Sequence, residues 1–333
     1  MNSDNHQIKQ IIKNQANDFG IDEISFGAVK NDSITVGASA QFDPGRYKSV
    51  ICAALSYNYE TNRIPSSTPG YIARYTTSNF YKILSSKLKS LGKFIKSAYA
   101  PEKSNKEFFS VFVNSKLNDK AIARKYGLGH MARNSLVMLN GYGTSAVIGE
   151  LFIDMELSQD APLKEKQTQC SDCNICVKSC PTGALSGHGI IKKEICLQHL
   201  TTSLELPVKI NDKFFVDLWG SRFYGCTKCV DVCPENKIVK QGSISEMTGF
   251  IGNTFNIERI LDMKKDDYKK YFSHNQLSAG WVHSVCHIRN ALISAFNQKN
   301  IPLIREYAAK INLFDWNDNE KDYILGFIKT FLA

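Results

Sequence analysis

Apolar residues recur three and four apart near the start of the chain, where Ile8, Ile11, Ile12, Ala16 and Phe19 share one helical face over residues 4–19. Gly20 ends that helix, and the run IDEISFGAV that follows reads as a strand. SVICAALSY (49–57) is a nearly unbroken apolar run of strand length. YKILSSKLKSLGKFIK (81–96) returns to helical spacing, with Leu84, Leu88, Leu91 and Ile95 on one face and lysines on the other. EFFSVFVNS (107–115) predicts a strand, KLNDKAIARKYG (116–127) a helix closed by Gly127, and SLVMLN and SAVIGELFID two more strands. This alternation predicts an α/β unit over residues 1–160, a layered sheet with helices on its faces and a crevice able to take a flat cofactor. After about residue 245 the pattern is helical through HIRNALISAFNQ, IPLIREYAAKI and KDYILGFIKTFLA, so a helical region is assigned to 243–333.

Composition narrows the class. At 333 residues the chain is about twice a ~150-residue domain, and its 43% hydrophobic and 22% charged residues suit packed cores rather than disorder. Lys+Arg 41 against Asp+Glu 32 leaves +9, which favours a polyanionic partner without requiring one. Lysine-rich stretches such as KSLGKFIK and MKKDDYKK fit phosphate contact, but solvated helix faces explain them as well. No run approaches the ~18 apolar residues of a membrane span, and MNSDNHQIKQ carries no apolar leader core, so the expectation is a cytoplasmic protein with no membrane partner. Neither GxGxxG nor GxxxxGK[ST] occurs in the α/β region, which removes the usual dinucleotide and P-loop signatures.

Cysteine spacing carries the chemistry. Eight of the 10 cysteines fall between Cys170 and Cys233, and only Cys52 and Cys286 lie outside, where apolar surroundings suggest small buried side chains. The run CSDCNICVKSCP is C-x2-C-x2-C-x3-C-P, the bacterial ferredoxin spacing, in which three thiolates hold one cluster and the fourth reaches a second. CTKCVDVCP supplies the reciprocal set but is one cysteine short, and Cys196 completes the count. The assignment that follows is Cys170, Cys173, Cys176 and Cys233 on a first 4Fe-4S cluster, with Cys180, Cys196, Cys226 and Cys229 on a second. A ferredoxin-like double-cluster domain is thus assigned to 161–242. Structural zinc is the competing use of CxxC pairs, but it requires neither the third and fourth cysteines at these spacings nor the Cys-Pro ending that occurs twice here.

The cysteine arrangement resembles that of the epoxyqueuosine reductase family, which in turn is similar in plan to the corrinoid-dependent reductive dehalogenases. The segments FDPGRYKSVICAALSY, GYIARYTTSNFYKIL, YGLGHMARNSLVML, GTSAVIGELFIDMEL and CPTGAL are similar to the family's successive signatures, in order, across roughly residues 42–237. The resemblance implies a mixed α/β (α+β) architecture: a nitroreductase-like cobalamin-binding domain, the double-cluster domain, and a short HEAT-like helical segment for tRNA. It implies that electrons pass from two clusters to cobalamin and reduce epoxyqueuosine to queuosine in tRNA, with a low-potential donor such as ferredoxin or flavodoxin. Arg74, Tyr75, Asn114, His130 and Asn134 are the candidate cofactor-binding residues, set against the plainer readings of Arg74 as a surface arginine, Tyr75 as a core tyrosine and His130 as a satisfied loop residue.

Departures from the family pattern define the alternatives. The family's proton-donating aspartate is replaced by Asn114, or by Val113 if the alignment is ungapped, and an amide does not donate as a carboxylic acid does. Asp119, on the following helix, is the only substitute in view there, at a position where the family has a structural carboxylate. The segment after IARY reads TTSNFYK, without the family's acidic residue and histidine. The alternatives are a two-cluster electron-transfer protein, or a paralogous reductase with another substrate and a flavin or no corrinoid.

Overall fold

The computed structural model describes residues 2–29, 44–58, 68–160, 170–206, 213–237, 240, 242 and 248–333. The junctions expected near 160 and 242 adjoin residues outside the described set.

A four-stranded antiparallel sheet organises the first half of the chain. Its strands are β1 (Glu23–Ala28), β2 (Ser49–Ser56), β4 (Phe109–Val113) and β7 (Ala146–Ile153), in the order β1-β2-β7-β4. The unbroken apolar run of β2 has a structural reason: both of its faces are covered. Ile51, Ala53 and Leu55 face a core shared with α1 (Asn2–Asp18) and α2 (Phe80–Tyr99), while Val50, Cys52 and Ala54 face a core under α4 (Asp119–Lys125). α2 buries Phe80, Leu84, Leu88, Leu91 and Ile95, and Asn79 caps its start by accepting from the backbone amide of Lys82. Two short strands, β5 (Gly129–Met131) and β6 (Val137–Leu139), pair beside α4.

A second sheet was not foreseen from the sequence. β3 (Pro69–Ile72) pairs in parallel with β8 (Arg222–Tyr224) and antiparallel with β9 (Thr254–Asn256), so the tail opens on a strand before it becomes helical. The segment expected as one strand over 107–115 also starts as a helical turn, α3 (Asn105–Phe108), capped by Ser104 and Glu107.

Among the described residues, the cysteine-bearing stretch contributes four short α-helices, α5 (Ile175–Lys178), α6 (Leu197–Leu200), α7 (Lys213–Trp219) and α8 (Lys228–Asp231), and the tail five more: α9 (Ile257–Leu261), α10 (Lys265–Tyr271), α11 (Ser284–Asn297), α12 (Ile301–Lys310) and α13 (Asp318–Leu332). α11 is the axis of the largest core, which joins the tail to Leu197, Leu200, Trp219 and Phe223. Arg289 of α11 donates to the carbonyls of Leu200 and Ser203 at 2.7 and 2.6 Å, and Asn290 donates to those of Thr201 and Phe223 at 2.9 and 2.7 Å. The buried middle of α11 therefore fixes the segment after Cys196 and the strand before Cys226. Cys52 and Cys286 are both fully buried.

Candidate cluster and cofactor site

Cys170, Cys173, Cys176 and Cys233 line one small cavity, closed on its other side by Ala132, Arg133 and Asn134. The thiol of Cys176 is pushed up by burial and then by its neighbours Cys170, Cys233 and Cys173. Cys196 is raised by burial and, more weakly, by Cys226 and Cys180, while half-buried Cys229 is raised to about 12 by burial and then by Cys226, Cys196, Cys176 and Cys180. Four thiols crowded this way resist ionising together unless a cationic centre takes their charge. Backbone amides already point at the sulfurs: Ala184 N lies 3.3 Å from Cys180 Sγ, and the amides of Glu235 and Asn236 favour the thiolate of Cys233. Among the described residues, no three His, Cys, Asp or Glu side chains converge tightly enough to hold one metal ion. The donor set fits a polynuclear iron-sulfur body, which its ligands surround at a larger radius.

The loops carrying these cysteines are pinned from the first half of the chain by the segment GLGHMARN. Arg133 donates from Nη1 to the Ser171 carbonyl at 2.8 Å, and Asn134 donates from Nδ2 to the Cys229 carbonyl at 3.4 Å. Ala132 and Met138 pack against Cys233 and Cys170. Gly129 lets β5 approach β6, since a Cβ there would lie 2.5 Å from the Met138 carbonyl oxygen. Asn134 was among the residues singled out in the sequence; Arg133 was missed, because a loop arginine carries no periodic signal.

Beside the second group of cysteines lies an open cleft of about 670 Å³, lined by Asn58, Tyr71, Arg74, Arg222, Lys228 and Asp231 among others. Arg74 Nη1 donates to Asn58 Oδ1 at 3.3 Å, and Tyr71 and Asp231 meet at the hydroxyl of Thr227, at 2.9 and 2.8 Å. The volume lies in the usual range of cofactor sites, and amide, guanidinium and hydroxyl groups at its rim suit a ligand with a polar periphery.

The other sequence-derived candidates are dispersed. Tyr75 is half-buried, packs against two cores and stands 6.3 Å from the ring of Tyr57. His130 is half-buried on β5 opposite Met138. Asn114 is exposed just beyond β4, in the left-handed region at φ 48°, and its backbone N–H donates to Asp119 Oδ2 at 3.3 Å. Burial holds the Asp119 carboxyl above the usual carboxylate range. Two groups that sequence reasoning passed over lie close by. Glu150 of β7 is 1% exposed, its carboxyl raised well above the ordinary value by burial and then by Asp119. Lys120, lowered by burial, lies within electrostatic reach of Cys196, Cys229 and Asp119 and donates to the Ser135 carbonyl at 2.7 Å.

The cysteine-rich stretch set against an antiparallel sheet has the chemistry of a double-cluster iron-sulfur domain, and residues 169–246 match the 4Fe-4S double cluster binding domain. Over 91% of its length the chain is 27% identical to epoxyqueuosine reductase from Staphylococcus aureus, covering 83% of that protein. Its fold is that of epoxyqueuosine reductase from Bacillus subtilis, solved with a catalytic loop swung out of the active site: TM-score 0.80, 23% identity, 98% of this chain and 91% of that one. A structure of epoxyqueuosine reductase with an epoxyqueuosine-modified tRNA-Tyr stem loop superposes with TM-score 0.77 at 22% identity, over 99% of this chain and 100% of that chain. Over most of its length the chain is thus similar to the epoxyqueuosine reductases.

Proposed function

We propose that this protein is an iron-sulfur reductase that converts epoxyqueuosine to queuosine in tRNA. The observation that carries the reading is the pair of cysteine groups held side by side against a polar cleft of cofactor size, in a chain whose relatives bear that enzyme's name. Cys170, Cys173, Cys176 and Cys233 would hold the first cluster, and Cys180, Cys196, Cys226 and Cys229 the second. Within three units, 1–160, 161–242 and 243–333, the first lends Asn58, Tyr71 and Arg74 to the cleft, the second Arg222, Thr227 and Asp231, and the last braces the cluster loops.

The cleft fits cobalamin, with Arg74 and Asn58 at its polar periphery. Bound there, cobalamin would supply strongly reducing metal-centred chemistry, which the protein's residues position. The protein's own residues bind, orient and exclude water. Tyr71, Thr227 and Asp231 form a fixed polar wall, and Lys120 places a positive charge near the second cysteine group, where electron density accumulates on reduction. A ferredoxin or flavodoxin of low potential would load the clusters. No helix among the described residues is long and apolar enough to cross a membrane, which agrees with work on tRNA in the cytoplasm.

The test is an anaerobic assay of the whole chain, reconstituted with cobalamin and a low-potential reductant, on an epoxyqueuosine-containing anticodon stem loop. Formation of queuosine, with cobalamin retained through gel filtration and lost in Arg74→Ala, is the expected result. Failure to retain cobalamin or to consume the epoxide would leave the second reading, a two-cluster electron carrier or a reductase with another substrate. That reading is favoured by one observation: an amide, Asn114, stands where the family resemblance places a proton donor.

A further inference from the structure

One wall of the first cysteine cavity carries a cation. Arg133 lines that small cavity together with Cys170, Cys173, Cys176 and Cys233, and Glu235 is the acidic residue on its walls. Among the described residues no carboxylate comes within ion-pair distance of Arg133, neither Glu235 nor Asp172. The guanidinium is clamped on two sides. Nη1 donates to the Ser171 carbonyl at 2.8 Å, and Nη2 lies against the backbone of Gly187, 3.1 Å from where a Cβ would stand, in a hairpin closed by the bridge between Leu185 and Ile191. That leaves Nε, whose N–H is buried and has no acceptor. A buried donor without an acceptor is a net cost to folding, and thiols are weak acceptors. The cavity becomes rich in acceptors once it is filled, because a 4Fe-4S body held by thiolates is an anion that presents sulfur on every side.

We propose that Arg133 tunes the first cluster: its Nε–H hydrogen-bonds to cluster sulfur and its positive charge favours the reduced state, which raises the potential of the first cluster and leaves the second unaffected. Net charge and hydrogen bonds to sulfur are two of the quantities that set such potentials. Reduction adds one electron, delivered by a low-potential carrier protein, and makes or breaks no bond. The added negative charge lies beside a cation that is already in place, so nothing has to move to stabilise it. Arginine suits this task better than lysine, since its planar fork can serve the Ser171 carbonyl and still offer a second N–H from Nε. The inference rests on the cluster assignment of the proposed reading, and on neither cobalamin nor tRNA.

Potentiometric titration of the anaerobic two-cluster holoprotein, followed by electron paramagnetic resonance, tests this, the first cluster's signal being the one that survives in Cys196→Ser. Glutamine and lysine at position 133 both keep a donor for the Ser171 carbonyl. Arg133→Gln, which loses the charge and Nε, should make the reduced-to-oxidised ratio of the first cluster fall about tenfold at the wild-type midpoint, with the second cluster unmoved. Arg133→Lys, which loses Nε alone, should fall between the two. A first midpoint unmoved by Arg133→Gln, or an equal shift of both clusters, overturns the proposal. A second measurement needs no substitution: in unaltered protein labelled with a heavy nitrogen isotope in arginine alone, pulsed resonance should detect a nitrogen coupling on the reduced first cluster, and its absence overturns the proposal as well. Protein that shows the coupling and the shift but leaves the epoxyqueuosine stem loop unreduced removes the reductase reading and keeps the tuning. Protein that reduces the stem loop while its first midpoint ignores Arg133→Gln does the reverse.

Discussion

Arg133 reaches across to the carbonyl of Ser171, 2.8 Å away, immediately after the first cysteine of the ferredoxin-like run. A charge-assisted hydrogen bond of this kind holds a loop that has almost no apolar core of its own. Arg133→Ala should therefore loosen the first cysteine group and spare the second, and iron should fall from about eight toward about four per chain after anaerobic purification. Unchanged iron would show that the metal alone organises the loop.

Gly225 precedes Cys226 at φ 76°, and a Cβ there would lie 2.4 Å from the Tyr75 hydroxyl. A side chain is thus excluded by backbone conformation and by space together. Gly225→Ala should lower the thermal midpoint and strip the second cluster, leaving an electron paramagnetic resonance spectrum of one reduced cluster. Two intact signals would contradict the placement of Cys226.

Asn290 lies at the centre of α11 and serves two carbonyls, those of Thr201 and Phe223, while its own oxygen accepts from Arg289 Nε at 3.0 Å. Asn290→Ala leaves several buried polar groups without partners, at a cost of roughly 2–4 kcal/mol. Chemical unfolding should show that loss, accompanied by weaker retention of iron at the Cys196 and Cys226 side. A change within about 0.5 kcal/mol would mean that the network is dispensable.

His287 is buried among Phe223, Phe272 and Tyr268, and burial lowers its pKa from 6.5 to about 3. Below the unfolded value, the unfolded chain binds a proton that the folded chain refuses. This contribution to stability is intact above about pH 6.5 and is lost as the pH falls toward 3, at roughly 1.4 kcal/mol per pH unit. His287→Leu should flatten the acid side of the stability profile between about pH 5 and 7. An unaltered slope would place the acid sensitivity elsewhere.

Much of this was legible in the chain, and the exceptions have physical causes. α1, β2, α2, α4 and β7 announce themselves because each buries a periodic apolar face. The cysteine runs stand out because covalent ligation demands fixed spacing. The parallel pairing of Tyr71 with Arg222 left no trace, since strands of three and four residues are too short for a period and their partners lie far apart in sequence. Glu150 was hidden for a different reason. In SAVIGELFID it reads as a polar interruption on the open face of a strand, and only the packing of α4 on that face turns it into a buried carboxyl. Arg133 was lost among loop residues, because its importance comes from what it reaches and not from its neighbours in the chain.

The central claim is that eight thiolates hold two clusters crosswise, and metal analysis of anaerobically purified protein tests it most directly. The account expects about eight irons and eight acid-labile sulfides per chain, dropping to about four of each in a Cys196→Ser variant that keeps the first group intact. Stoichiometric zinc, or about four irons in the unaltered protein, would contradict it.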